Sequence, residues 1–145
     1  HRDLKPENIM FEDIDGEKVR LIDFGFATRC NAGEKLTQVC GTLQYMAPEV
    51  LLRSGYDEKS DIWSIGTVLY TMLTNKVLYG GDGQEVIRKN KLGAINFSRT
   101  FKTISEDGQD FVLRLLTVNP QSRPSAIEAL DHPWLRQNAP AAVEA

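Results

Sequence analysis

Asp3, Asn8 and Asp23 are the residues whose types and spacing could do chemistry. The first two stand in His1-Arg2-Asp3-Leu4-Lys5-Pro6-Glu7-Asn8, and the third opens Asp23-Phe24-Gly25. Carboxylate and amide oxygens suit a hard divalent cation, and a carboxylate can accept the proton of a hydroxyl nucleophile. These side chains need elements that bring them together. Two strand-like runs, Asn8 to Phe11 and Val19 to Ile22, lie between them with a turn at Asp15-Gly16, and an antiparallel hairpin puts both loops at one end. Val19 and Leu21 share one face of the second run.

The two motifs resemble those of the eukaryotic protein kinase catalytic domain, in its C-terminal part and starting inside the catalytic loop. The resemblance implies that Asp3 accepts the substrate hydroxyl proton, Asn8 holds one magnesium ion, and Asp23 holds the metal bridging the nucleotide phosphates. ATP and Mg2+ are thus the implied cofactors. Lys5 would neutralise charge on the transferred phosphoryl group. The string Lys5-Pro6-Glu7-Asn8 is the serine/threonine form of the motif.

Further blocks follow in the family's order. Phe26 to Val39 is polar, lacks sustained periodicity and reads as a mobile loop; in the family it is the activation segment, often ordered by a phosphate that pairs with the catalytic-loop arginine, here Arg2. Three positions before Gly41, where those relatives carry the phosphorylated threonine, stands Gln38. Thr37 is one position off; it is either a regulatory phosphosite or a plain polar loop residue. In Cys40-Gly41-Thr42-Leu43-Gln44-Tyr45-Met46-Ala47-Pro48-Glu49, Thr42 would hydrogen-bond near Asp3 and Lys5, and Leu43 to Tyr45 would floor the site for the residue after the phosphoacceptor. Glu49 would pair with Arg123, and Asp61, in Asp61-Ile62-Trp63-Ser64-Ile65-Gly66, would cap backbone amides of the catalytic loop. Glu7 would receive a basic residue of the substrate.

The remaining elements come from periodicity and capping. From Glu58 to Leu73 the apolar Ile62, Trp63, Ile65, Val68, Leu69, Met72 and Leu73 cover most of a helix, predicting that it is buried on nearly all sides. Asn75 to Gly83 departs from the family: its glycines predict a loose link to a short helix over Gln84 to Leu92. Ser105 is a candidate N-cap with Glu106 and Asp107 in the first turn, followed by a core stripe of Phe111, Val112, Leu115 and Leu116. Ser125 to Leu130 is the last predicted helix. His132, beside Pro133, is expected to be a packing residue. Setting Gly16 at the sixth position of a calcium loop puts Phe11 and Ile22 at the two end ligand positions, which excludes that loop.

The fold class expected is α+β, mostly α-helical: the C-terminal lobe of a protein kinase-like fold, over residues 1–135, with a tail over 136–145 that frays. Because the chain opens on a motif residue, a truncated domain is expected, lacking its N-lobe, which is then a partner. Its 145 residues would bury roughly 68 to 70% of the unfolded surface if they folded alone. A net charge of −3 gives no nucleic-acid footprint, and no run is long and apolar enough to span a membrane. Cys30 and Cys40 lack metal-type spacing and fit free thiols in a reducing compartment, so a cytoplasmic location is expected. Asn96-Phe97-Ser98 matches a glycosylation sequon by coincidence.

The strings Lys5-Pro6-Glu7-Asn8-Ile9-Met10-Phe11 and His132-Pro133-Trp134-Leu135 most resemble the calcium/calmodulin-dependent and calcium-dependent kinases, which implies calmodulin or a calcium-binding segment as a further partner. Two functions are weighed. One is an ATP-dependent serine/threonine kinase acting on a protein substrate. The other is a non-catalytic fragment that binds substrates or partners, since half the nucleotide pocket would be missing.

Overall fold

The computed structural model describes residues 1–13 and 18–138. Strand β1 (Ile9–Phe11) pairs antiparallel with β2 (Val19–Leu21) in the register Ile9 to Leu21, Met10 to Arg20 and Phe11 to Val19. Each strand is one residue shorter than the sequence pattern predicts. Asn8 and Ile22 are still coupled, because the Ile22 amide donates to the Asn8 carbonyl at 3.0 Å. The Asp15-Gly16 turn lies outside the described residues.

The rest is helical: α1 (Pro48–Leu52), α2 (Lys59–Thr74), α3 (Gly83–Lys91), α4 (Glu106–Leu115), α5 (Ala126–Leu130) and α6 (Pro133–Asn138), with short 3-10 turns at Pro6–Asn8, Leu43–Tyr45 and Phe101–Thr103. This bears out the mostly helical fold expected, with one small hairpin. Local chemistry explains where several helices start. Asp82 accepts from the Glu85 amide at 2.9 Å and Ser105 from the Gly108 amide at 3.3 Å. At α5, Ser125 and Glu128 cap each other reciprocally, a capping box.

Helix α2 runs through the core. Around it Trp63, Tyr70, Val86, Val112, Tyr79 and Phe101 form one buried cluster, while Ile62, Phe111 and Leu115 form a second on its other side. Gly66 lets α2 and α4 approach, since a Cβ there would lie 2.9 Å from the Leu115 Cβ.

Three expectations are corrected. Ile65 is 42% and Met72 71% exposed, so α2 is not apolar-buried all round. Its buried sides include Ser60, Ser64, Thr67 and Thr74 instead. Small hydroxyls can be buried there because the helix backbone satisfies them: Thr67 donates to the Ser64 carbonyl at 2.7 Å and Thr74 to that of Tyr70 at 2.7 Å. The link after α2 is anchored in its first part, where Leu78 and Tyr79 are buried, while the glycines that follow, Gly80, Gly81 and Gly83, are exposed. Finally, Arg136 to Asn138 belong to α6, because Pro133 opens a further helix turn; the rest of the expected tail, 139–145, lies outside the described residues.

No described helix is long and apolar enough to cross a membrane. His132 is buried against Phe111, with ring centroids 4.9 Å apart, and its Nε2 is 3.0 Å from Asp110 Oδ2.

Candidate active site

The loop that precedes β1 is held in place largely by the side chains it carries. Pro6 starts a 3-10 turn whose end is fixed by the Asn8 amide donating to the Lys5 carbonyl at 3.0 Å. Asn8 is buried and its Nδ2 donates to the Asp3 carbonyl at 2.9 Å. That bond orients the amide so that its Oδ1, which has no hydrogen-bond partner among the described residues, is the atom left for another ligand.

Asp3 is only 5% exposed, so its carboxylate needs partners. Oδ2 receives the Lys5 ammonium at 2.9 Å, and Oδ1 receives the Thr42 amide at 2.7 Å. Lys5 Nζ also donates to Thr42 Oγ1 at 3.0 Å. Burial pushes the Asp3 carboxyl up, but the bonds from Lys5 and Thr42 outweigh it, and the group ends below the usual carboxylate range. The chemical consequence is an ionised acceptor at neutral pH. It can orient a hydroxyl and take its proton as the bond forms, but it is too weak a base to ionise that hydroxyl beforehand.

Gly41 makes the approach of Thr42 possible. Its φ is +101°, and a Cβ would sit 2.3 Å from the Arg2 carbonyl oxygen. This requirement could have been suspected from a glycine directly before the threonine, but no periodicity points to it.

The second loop is tied to the first by His1, to which sequence reasoning gave no role, and by Arg2, which it singled out only as a partner for a phosphate. His1 Nε2 lies 3.1 Å from the Ile22 carbonyl, and its ring is 4.9 Å from that of Phe24. Arg2 Nε donates to the Phe26 carbonyl at 2.6 Å. Between these ties Asp23 has a left-handed φ of +59° and accepts from the Gly25 amide through Oδ1 at 3.2 Å. Its Oδ2 has no hydrogen-bond partner among the described residues. The Lys5 ammonium is held above its usual range by the hydrogen bond to Asp3 first, with the charges of Glu7 and Asp23 adding to it. The charges of Asp3, Glu7 and Asp23 thus all act on this one cation, and the loops carrying Asn8 and Asp23 are joined where the Ile22 amide meets the Asn8 carbonyl.

On the other side of Asp3, Leu43–Tyr45 forms a 3-10 turn held by Ser64 Oγ donating to the Tyr45 carbonyl at 2.8 Å. Glu7 is exposed beside it. Burial, and then the Glu7 charge, raises the Tyr45 phenol.

Asp61, at the start of α2, accepts from the nitrogen of His1 at 2.8 Å and the amide of Arg2 at 2.9 Å. Glu49 and Arg123 meet in a two-pronged pair at 2.7 and 3.0 Å. Neither touches the reacting loops, so they brace the scaffold. Thr37 is exposed and its side chain makes no hydrogen bond among the described residues. Arg2 Nη1 instead donates to Gln38 Oε1 and to the Tyr56 hydroxyl, each at 3.3 Å.

The oxygens left over suit magnesium. It takes few protein ligands and fills its octahedron with water and phosphate, and Asn8 Oδ1 and Asp23 Oδ2 are each a hard-oxygen donor of the kind it takes.

Residues 1–135 match the family model described as the protein kinase domain. The chain is similar to the calcium/calmodulin-dependent protein kinase cmkA of Emericella nidulans, 42% identical over 141 residues, covering 94% of this chain and 34% of that protein. It is likewise 42% identical over 139 residues to calcium-dependent protein kinase 21 of Oryza sativa subsp. japonica (94% and 24% covered). With ribosomal protein S6 kinase alpha-1 of Rattus norvegicus it shares 41% over 145 residues (94% and 20%). The chain thus spans about a third or less of the length of these relatives.

Proposed function

The chain belongs to the protein kinase domain family, and from that premise we propose that it transfers the γ-phosphate of ATP to a serine or threonine hydroxyl of a protein substrate. The observation that carries this reading is the Asp3–Lys5–Thr42 cluster at 2.7 to 3.0 Å. It presents an ionised carboxylate and a cation side by side, as needed to align a hydroxyl and balance phosphoryl charge.

Asp3 accepts the hydroxyl proton in this scheme. Lys5, already bonded to Asp3 and Thr42, faces the transferred group. Asn8 and Asp23 would hold the magnesium, which when bound draws charge off the phosphate oxygens. Thr42 fixes Asp3 through its amide and Lys5 through its hydroxyl, and this arrangement together with the Lys5-Pro6 string favours serine or threonine over tyrosine. Leu43 and Tyr45 floor the place of the residue after the phosphoacceptor. Exposed Glu7 favours targets with an arginine or lysine nearby.

Two of the relatives are named for calcium or calmodulin, which supports a calcium-responsive segment as a partner. The free Cys30 and Cys40 support a cytoplasmic location.

A second reading applies to these 145 residues taken by themselves: a binding module without phosphotransfer. It is favoured by the bare hairpin, where Phe11 is 66%, Val19 55% and Met10 50% exposed, a surface that asks for cover. The test is phosphate incorporation into a basic serine peptide by the protein made from its full reading frame. Asp3→Asn is expected to lower kcat by roughly 10²–10⁴-fold with little change in peptide KM. Equal rates for both proteins would refute the assignment of Asp3, and no incorporation at all would leave the binding module as the better reading.

A further inference from the structure

We propose that Gln38 and Tyr56 are positioning residues that hold Arg2, and through it the loop bearing Asp3, in working geometry with no phosphate on the segment between Asp23 and Ala47. The inference rests on the kinase reading above and concerns how its site is kept assembled.

Arg2 is the junction. Its φ of +70° is left-handed, a conformation that persists in a residue with a side chain only where the surroundings over-determine it. Four contacts do so. The amide donates to Asp61 at 2.9 Å and Nε to the Phe26 carbonyl at 2.6 Å, while Nη1 reaches Gln38 Oε1 and the Tyr56 hydroxyl. One side chain thereby ties the first loop to the second loop, to the polar segment and to the residue that leads into α2.

Tyr56 closes the circuit. Its hydroxyl accepts from Arg2 and donates to the Gln38 carbonyl at 2.6 Å. Burial raises this phenol, so it keeps the proton it donates. Its backbone pairs with Leu36 in both directions, at 2.8 and 3.0 Å, and Lys35 forms a close ion pair with the neighbouring Asp57. Lys35 to Gln38 are therefore fastened to Tyr56 and Asp57, although the composition of this stretch reads as a free loop.

The acceptors around the Arg2 side chain are all neutral: a carbonyl, an amide oxygen and a phenol. Among the described residues no carboxylate pairs with it. Gln38 Oε1 thus supplies by a neutral bond what an anion could supply by charge, at one end of a backbone that is already pinned. Arg2 Nη2 takes no acceptor among the described residues, so capture of a phosphate on the exposed Thr37 is the competing outcome.

The test measures kcat and KM, with and without phosphatase treatment, for the protein made from its full reading frame. The wild type and Thr37→Ala are expected to keep their kcat after phosphatase. Gln38→Ala and Tyr56→Phe are each expected to lower kcat roughly tenfold, by loss of a bond to a charged group, with the ATP KM unchanged. Gln38→Glu is expected to restore the rate, since its carboxylate accepts from Arg2. Gln38→Thr is expected to make the rate dependent on phosphorylation. A wild type inactivated by phosphatase, or a Gln38→Ala protein with wild-type kcat, would overturn the proposal. Hydrogen exchange over residues 26–40 gives a reading independent of turnover, so that it survives failure of the kinase assignment. Faster exchange in Gln38→Ala supports the latch, and unchanged exchange sinks it.

Discussion

Truncating Glu49 to alanine tests how the lobe holds together. Arg123 is wholly buried, and all five of its N–H donors are used. Two go to the Glu49 carboxylate at 2.7 and 3.0 Å, and three go to the carbonyls of Thr117 at 2.9 Å, Lys59 at 2.7 Å and Val118 at 3.2 Å. The guanidinium also lies 5.2 Å from the Trp63 ring centroid. Glu49→Ala leaves a buried cation without a counter-charge and costs about 3–5 kcal/mol, a large part of the about 5–15 kcal/mol that holds a typical domain. Arg123→Ala is worse, because it orphans the Glu49 carboxylate and three carbonyls together. In the double variant the stranded carboxylate is gone, so the sum of the single losses should exceed the double loss by about 2–3 kcal/mol. Urea unfolding of the four proteins, followed by fluorescence of Trp63 and Trp134, measures each term. If Glu49→Ala costs less than about 1 kcal/mol, the value of an exposed pair, the reasoning about burial is wrong.

Gly41→Ala adds a Cβ 2.3 Å from a backbone oxygen at a φ of +101°. The conformation alone costs on the order of 1–3 kcal/mol, and the Thr42 amide should also lose its bond to Asp3; thermal melting and kcat should fall together, and an unchanged melting temperature would contradict the close approach. Acid should weaken the fold through Asp3. Its folded pKa is below the ordinary 3.8, so its contribution is complete above that value and is lost as pH falls through the lower folded one. Urea midpoints taken from neutral pH downward should show this limb flattened in Lys5→Met, and an identical limb in both proteins would deny the pairing its role.

Some of this was legible because it is local. The hairpin is specified within about a dozen residues, and the caps of α4 and α5 depend on side chains three positions from the amides they bond. The stripe of α4 reads correctly because Phe111, Val112, Leu115 and Leu116 are all buried, Val112 and Leu116 in one cluster and Phe111 and Leu115 in the other. The same rule fails on α2. Its flanks meet different neighbours, so Ile65 and Met72 face outward while Ser60 and Thr67 are buried. Hydropathy could not foresee this, since a helical hydroxyl bonded to its own backbone carries little burial cost.

By itself, then, the sequence determined which side chains are oxygen donors, the order of the motifs and the starts of the main helices, because each depends on neighbours along the chain. Only the tertiary structure decided that Lys5 bridges Asp3 and Thr42, that Arg2 ends on Gln38 and Tyr56, and that Arg123 spends every donor in the core. Those partners stand 36 and 54 residues from Arg2 and 74 from Arg123. Their meeting is fixed by how α2 packs between its two clusters, and a contact made by packing leaves no spacing in the chain to read.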